Sequence, residues 1–238
     1  MSKYFVLGDV RVQTVFKAVK NVHLTVHPPK GRVTLVAPLG TRPDVARAYA
    51  ISKLNWIRQQ QRSYQEQARE TPRRFIERES HHVWGRRYLL CVVEQDRRAR
   101  VEWGNRTLTL YVRPGASAIK RAEVMNAWYK HLLHKELPPL IATWERRLGV
   151  KVEAYYLQRM KTKWGSCNHV ARNIRLNTEL AKKPKDLLEY VVVHEMVHLI
   201  EPTHSERFIN ILNRAYPSWR DARAELNELP LSSEKWNE

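Results

Sequence analysis

Between residues 10 and 37 the apolar side chains fall at every second position: Val22, Leu24 and Val26 alternate with Asn21, His23 and Thr25. That is the period of a half-buried strand. Pro28-Pro29-Lys30-Gly31 interrupts the run before Val33-Thr34-Leu35-Val36, and the pair predicts a hairpin. The period then changes. Val45, Ala48, Ile51, Leu54 and Ile57 recur at three- and four-residue spacing behind Thr41, Pro43 and Asp44, which supply a cap, an early proline and a first-turn acid. One helix of about 25 residues is expected, stopped near Glu70 by Thr71-Pro72. Alternation returns in residues 82–94 and 100–103, and Gly104-Asn105 turns the second of these into Thr107-Leu108-Thr109-Leu110-Tyr111-Val112.

Pro114-Gly115 closes this β-rich stretch. Helical spacing follows from Ser117 to Leu133 and again from Pro138-Pro139 to Leu148, with Gly149 as a stop. Residues 155–163 and 172–177 read as two short strands joined around Trp164-Gly165-Ser166-Cys167, and helices close the chain. The pattern predicts an α+β fold with a β-rich part over 1–113, containing one long helix, and a mainly helical part over 114–238 with a short edge hairpin. No internal repeat is visible at any period.

The chain of 238 residues, 43% hydrophobic and 28% charged, is long enough to bury its own core, which excludes disordered and low-complexity classes. No apolar stretch approaches the roughly twenty residues that cross a bilayer, and the first residues carry Asp9 where a signal peptide would be apolar. Cys91 and Cys167 are too far apart in sequence for a zinc knuckle or a disulfide framework. A reducing cytoplasmic setting is expected. Net charge is +18, and it is uneven: residues 1–122 hold 24 Lys and Arg against 9 Asp and Glu, whereas 123–238 hold 18 against 15. Arg73-Arg74, Arg86-Arg87 and Arg97-Arg98 are interleaved with Trp84, Tyr88 and Trp103. This mixture suits either a solvated basic face or a nucleic acid contact.

The chemistry concentrates in His194-Glu195-Met196-Val197-His198, inside the apolar run 190–200. On a helix, four-residue spacing stacks His194 and His198 on one face, where both imidazoles can reach one tetrahedral Zn²⁺ ion. A bound cation offsets the cost of burying such polar groups, and Glu195, one residue round, is placed as a general base toward an activated water. Pro202 is expected to end this helix. Thr203-His204-Ser205-Glu206 has the form of a capping box opening another, with His204 in its first turn as the third ligand. The spacing to His204 matches that of metzincins, but Glu201 replaces their glycine and no Met follows His204. Glu206 is the weaker alternative ligand.

Arg159-Met160-Lys161-Thr162-Lys163-Trp164-Gly165-Ser166-Cys167, Asn173-Ile174-Arg175-Leu176-Asn177, the helix carrying His194 and His198, and His204-Ser205-Glu206-Arg207-Phe208 resemble the YgjP-like metal-dependent hydrolases. These are minigluzincin-type metallopeptidases related to the SprT and Wss1 groups. Val33 to Gly40 and Trp84-Gly85-Arg86-Arg87-Tyr88 extend the likeness into the first half; Met196 departs from the more usual Leu. The resemblance implies a zincin-like catalytic part, zinc at His194, His198 and His204, Glu195 as general base, and a peptide or protein substrate. It also puts the strand of Asn173, Arg175 and Asn177 beside the cleft, where it either binds substrate backbone as an added strand or is a structural edge.

The competing reading is a basic nucleic-acid-binding protein with a structural or vestigial zinc site. The two combine in a protease recruited to DNA. A free Glu beside three ligands favours catalysis, since structural zinc normally closes its fourth position. Cys167 reads as a small buried hydrophobe, and His81-His82, His131 and His134 as surface positions. Tyr155, Tyr156, Tyr190 and Tyr216 all stay open as oxyanion partners. Oligomeric state is not legible.

Overall fold

The computed structural model describes residues 2–27, 31–66, 73–160 and 163–229. The expected turn at Pro28-Pro29-Lys30 and the helix stop at Thr71-Pro72 lie outside the described residues, as do Lys161 and Thr162. Two compact units form, one from residues up to 68 and one from residues 69–234.

The first unit holds β1 (Ser2–Leu7), β2 (Val10–Lys17), β3 (His23–His27), β4 (Arg32–Pro38), α1 (Pro43–Ser52) and α2 (Leu54–Glu66). Its sheet runs β1-β2-β4-β3, with β2 and β4 parallel and both outer pairs antiparallel. Alternation buries Val10, Val12 and Thr14 of β2 and Val33, Leu35 and Ala37 of β4. Ala46, Ala50 and Ile57 of the helices join the same core. β1 was not legible as a strand. The single long helix is two, broken at Lys53, and Arg42 rather than Thr41 is its N-cap, without a side-chain bond.

The second unit begins with β5 (Ser80–Val83), β6 (Arg86–Glu94), β7 (Arg100–Trp103) and β8 (Thr107–Val112), then α3 (Ala118–Leu148). Its sheet runs β5-β6-β8-β7 with the same pairing directions as the first. The parallel register Val12↔Val33 of the first sheet corresponds to Leu90↔Leu108 of the second, and Gly8 and Gly85 both take positive φ at the first hairpin turn. The chain therefore contains a structural repeat. Its copies share strand order, pairing directions and burial pattern rather than residue identity or turn detail, since Trp84 and Gly85 both take positive φ where Gly8 alone does, and no sequence period betrays it.

Pro114-Gly115 and the change of period suggest a division at 113/114, whereas the chain divides into compact units at 68/69. The reason is packing: Leu90, Leu108 and Leu110 of the second sheet share one core with Met125, Tyr129 and Leu133 of α3 and with the buried helix that carries His194. α3 also differs from expectation, running unbroken through Pro138 and Pro139. Two missing amide donors cost less than exposing the buried stripe of Leu133, Leu137, Ile141 and Trp144 on either side of them. Gly149 ends the helix with φ 65°, as its type predicts.

A three-stranded sheet follows, β9 (Ala154–Gln158), β10 (Gly165–Asn168) and β11 (Asn173–Asn177). Its order is β10-β11-β9, with β10 antiparallel and β9 parallel to β11. The hairpin is therefore made by β10 and β11, and Gly165-Ser166-Cys167 is strand rather than connection. A 3-10 turn (Thr178–Lys182), α4 (Lys185–Val197), α5 (Glu206–Ala215) and α6 (Trp219–Glu228) complete the chain.

The entry to α4 is pinned by the β5–β6 turn. Trp84 N–H donates to Ala181 O (3.0 Å) and Gly85 N–H to Lys182 O (3.2 Å). Gly85, at φ +78°, lies so close to Pro184 that a Cβ there would be 2.8 Å from Pro184 Cγ. Lys185 covers the Trp84 ring at 5.3 Å. The turn thus fixes where the helix starts, and the helix's buried flanks, Leu187, Val191, Val192 and Met196, fix its rotation.

Candidate metal centre

α4 carries His194 and Glu195 in its last turn, and His198 is its C-cap. The helix ends at Val197, before Pro202; residues 198–201 continue as turns, with Ile200 N–H and Glu201 N–H both on Val197 O. His204 precedes α5 instead of lying in its first turn. Ser205 is the N-cap, accepting from Phe208 N–H at 3.3 Å. The expected capping box at Thr203 does not form, because Thr203 bonds Glu201 Oε1 (2.8 Å). Glu206 begins the helix and belongs to no cluster of ligating groups among the described residues.

The reversal brings the three imidazoles together: their ligating atoms lie within 4.8 Å of one another. Nε2 of His194 and Nε2 of His204 are 3.1 Å apart. Two nitrogens bound to one zinc at 2.0–2.1 Å in tetrahedral geometry would sit roughly 3.3 Å apart, so the pair is close to the required spacing. His198 Nδ1–H donates to Glu201 O (3.2 Å), which leaves Nε2 of that ring with its lone pair free. His194 Nδ1 is buried without a partner. Burial, with His198 and His204 adding to it, lowers His194 to about 3; burial also lowers His198. Both rings are neutral at pH 7, the form that ligates. The donor set and its protonation fit a divalent cation.

Phe208 of α5 is fully buried beneath this cluster. Its ring centroid lies 5.1 Å from that of His194, 4.6 Å from His198 and 4.8 Å from His204. Glu195 packs against Gly165 of β10 and is 6% exposed. Burial raises its carboxyl to about 8, against the pull of Lys163. A cleft of about 580 Å³ opens beside His194, Glu195 and His204, with Lys163, Tyr190 and Arg223 on its walls.

Two solved structures are similar to part of the chain. The metallopeptidase zymogen of Pyrococcus abyssi abylysin is 17% identical over 37% of this chain and 89% of that one, with a TM-score of 0.35. The metallopeptidase zymogen of Methanocaldococcus jannaschii jannalysin is 19% identical over 37% and 84%, with a TM-score of 0.33. Comparison with curated proteins gives no match. Residues 20–229 match the YgjP-like metallopeptidase domain. The chain belongs to the YgjP-like metallopeptidases. Membership makes it a metal-dependent peptidase acting on peptides or proteins, and agrees with the α+β architecture.

In this YgjP-like chain the strand of Asn173, Arg175 and Asn177 is the interior strand of its sheet, so it has no free edge to offer a substrate. Asn177 is wholly buried and structural: its Nδ2 donates to Met160 O and Lys163 O, both at 2.8 Å, and its Oδ1 accepts from Glu179 N–H at 3.1 Å. Of the four tyrosines, Tyr155 bonds His134 (3.1 Å), Tyr216 donates to Asp186 O (3.1 Å), and Tyr156 is exposed near Arg175. Only Tyr190 lines the cleft. His81 is buried on Glu79 Oε2 (2.9 Å) rather than at the surface, while His131 and His134 are exposed. Cys167 is half-buried against the core. Gly165 and Phe208 stood in the resembling segments without a role; only tertiary contact assigns one.

The basic first half does not present a stacking platform from its interleaved aromatics. Tyr88 is buried, Trp84 lies under Lys185, and Trp103 alone is exposed, packed edge-on against Tyr88 and Trp128. Among the described residues no helix is long and apolar enough to cross a membrane.

Proposed function

We propose that the chain is a zinc metallopeptidase in which His194, His198 and His204 hold the ion and Glu195 is the general base. The observation that carries this reading is one arrangement: three imidazoles within mutual ligand reach, a buried carboxylate on the adjacent helix position that joins no ligand cluster, and an open cleft beside both. Zinc, when bound, lowers the pKa of water to about 7 and polarises a carbonyl.

The protein's own groups do the rest. Burial alone would keep the Glu195 carboxyl protonated at pH 7. A divalent cation held by the neighbouring imidazoles would favour the carboxylate, whose Oε would then take a proton from the attacking water and return it to the leaving nitrogen. Its buried setting strengthens that hydrogen bond and excludes competing solvent. Tyr190, which lines the cleft one turn before His194, would donate its hydroxyl to the oxygen on which charge develops. β10 is the free edge of the short sheet on the Glu195 side, so an extended substrate backbone would pair there. The nucleic acid reading rests on charge alone.

Wild type and Glu195→Gln should each be assayed for metal by elemental analysis and for cleavage of an unfolded protein. The variant is expected to keep one metal per chain and lose roughly 100-fold to 10,000-fold in turnover. Undiminished cleavage by the variant removes Glu195 from the role; absence of metal from wild type removes the zinc site.

A further inference from the structure

The Trp164-Gly165-Ser166-Cys167 segment supplies no side chain to the chemistry above, yet its glycine touches the base. A Cβ built on Gly165 would stand 2.5 Å from Glu195 Oε1, 2.7 Å from Cγ and 2.8 Å from Cδ. Real Cβ atoms do not approach that closely, so any side chain at 165 must displace one partner.

The strand cannot yield. Gly165 is paired with Leu176 in the β10–β11 ladder. The carbonyl before it, Trp164 O, accepts from Asn177 N–H at 2.8 Å, and Lys163 O accepts from Asn177 Nδ2 at 2.8 Å. Asn177 and Leu176 are themselves fully buried. Nor can the helix retreat, since Val191, Val192, Met196 and Val197 are embedded in the core around it. What remains movable is the Glu195 side chain.

Gly165 has no positive φ that would call for glycine on backbone grounds. The three atoms nearest to a side chain at 165 all belong to Glu195. We propose that Gly165 is a positioning residue for the general base: the bare Cα of β10 forms the seat that holds the Glu195 carboxylate in its catalytic rotamer. This rests on the peptidase reading above and adds a residue that acts only through Glu195.

The test is a double-variant cycle read by melting temperature, metal content and steady-state kinetics on the full chain. Gly165→Ala should retain full metal and lower kcat roughly 100-fold with KM within about two-fold, as expected for a base displaced by about 1 Å. It should also lower the melting temperature by about 5 °C in the presence of Glu195, as overpacking does, and by nothing measurable in the Glu195→Ala background, where the space is vacant. Equal melting losses in both backgrounds overturn the contact. A coupled melting loss with unchanged kcat overturns the positioning role. Should Gly165→Ala fail to fold, recovery on adding Glu195→Ala supports the seat and failure to recover rejects it. If metal-loaded wild type cleaves nothing, the peptidase reading fails by itself, while the melting cycle still decides whether residues 165 and 195 share this space.

Discussion

The ring of Phe208 packs 4.6 Å from the ring of His198, centroid to centroid, and the same phenyl group supports His194 and His204. One residue of α5 thus packs against all three imidazoles, from α4 and from the loop between the helices. Phe208→Ala is expected to cost about 3–5 kcal/mol of stability, and Phe208→Leu, which keeps most of the volume, to weaken zinc affinity roughly 10-fold. Competition against a fluorescent chelator measures the second effect. Wild-type affinity in Phe208→Leu would mean that the rings are held by other means.

His204 and Glu206 are two residues apart, but only His204 reaches the other imidazoles. His204→Ala should weaken metal binding by more than the roughly 100-fold that loss of a supporting group costs, whereas Glu206→Ala should leave one metal per chain. Elemental analysis after dialysis separates them. Metal loss in Glu206→Ala alone would transfer the third ligand to the carboxylate.

Asn177 and Arg175, two positions apart on β11, differ in burial, and their substitution should behave oppositely. Asn177→Ala removes the partner of the part-buried carbonyls of Met160 and Lys163 and of the buried Glu179 N–H, at an expected cost of about 1–3 kcal/mol and a melting temperature lower by roughly 2–10 °C. Arg175→Ala, on an exposed position, should stay within about 0.5 kcal/mol of wild type. A purely kinetic defect in Asn177→Ala, with unchanged melting, would restore it as a substrate contact.

Burial first, and the Glu195 carboxylate second, raise the Cys167 thiol from 9.0 to about 11, with Arg172 opposing. The folded state favours the neutral thiol, so this contribution to stability is complete below pH 9 and is lost as pH climbs from 9 through 11. Since thiolate is the reactive form, iodoacetamide at pH 8 should label Cys167 only after unfolding, with native labelling accelerating above about pH 10. Peptide mass spectrometry reads this directly; fast native labelling at pH 8 contradicts the assignment.

Hydrophobic period and local chemistry are properties of neighbouring residues, and what depends on them was legible in the chain. Strands β3, β4, β7 and β8, the Gly149 stop, the buried helix and the imidazole pair at four-residue spacing all follow from the sequence, because each needs only contacts within about one turn or one hairpin. The reversal that carries the third imidazole was legible from Pro202 and an expected cap at Thr203, although the cap is Ser205 and His204 precedes the helix.

Tertiary structure decided whatever depends on partners far apart in sequence. Pro138 and Pro139 remain helical because α3 buries a continuous stripe; β11 is interior because β9 joins it in parallel; Asn177 is a structural knot because three segments converge on it. The repeat of the two sheets is invisible in residue identity, since many side chains satisfy the same burial pattern. Gly165 and Phe208 acquire their roles only where β10 and α5 are folded against α4, because steric exclusion and ring packing act through space.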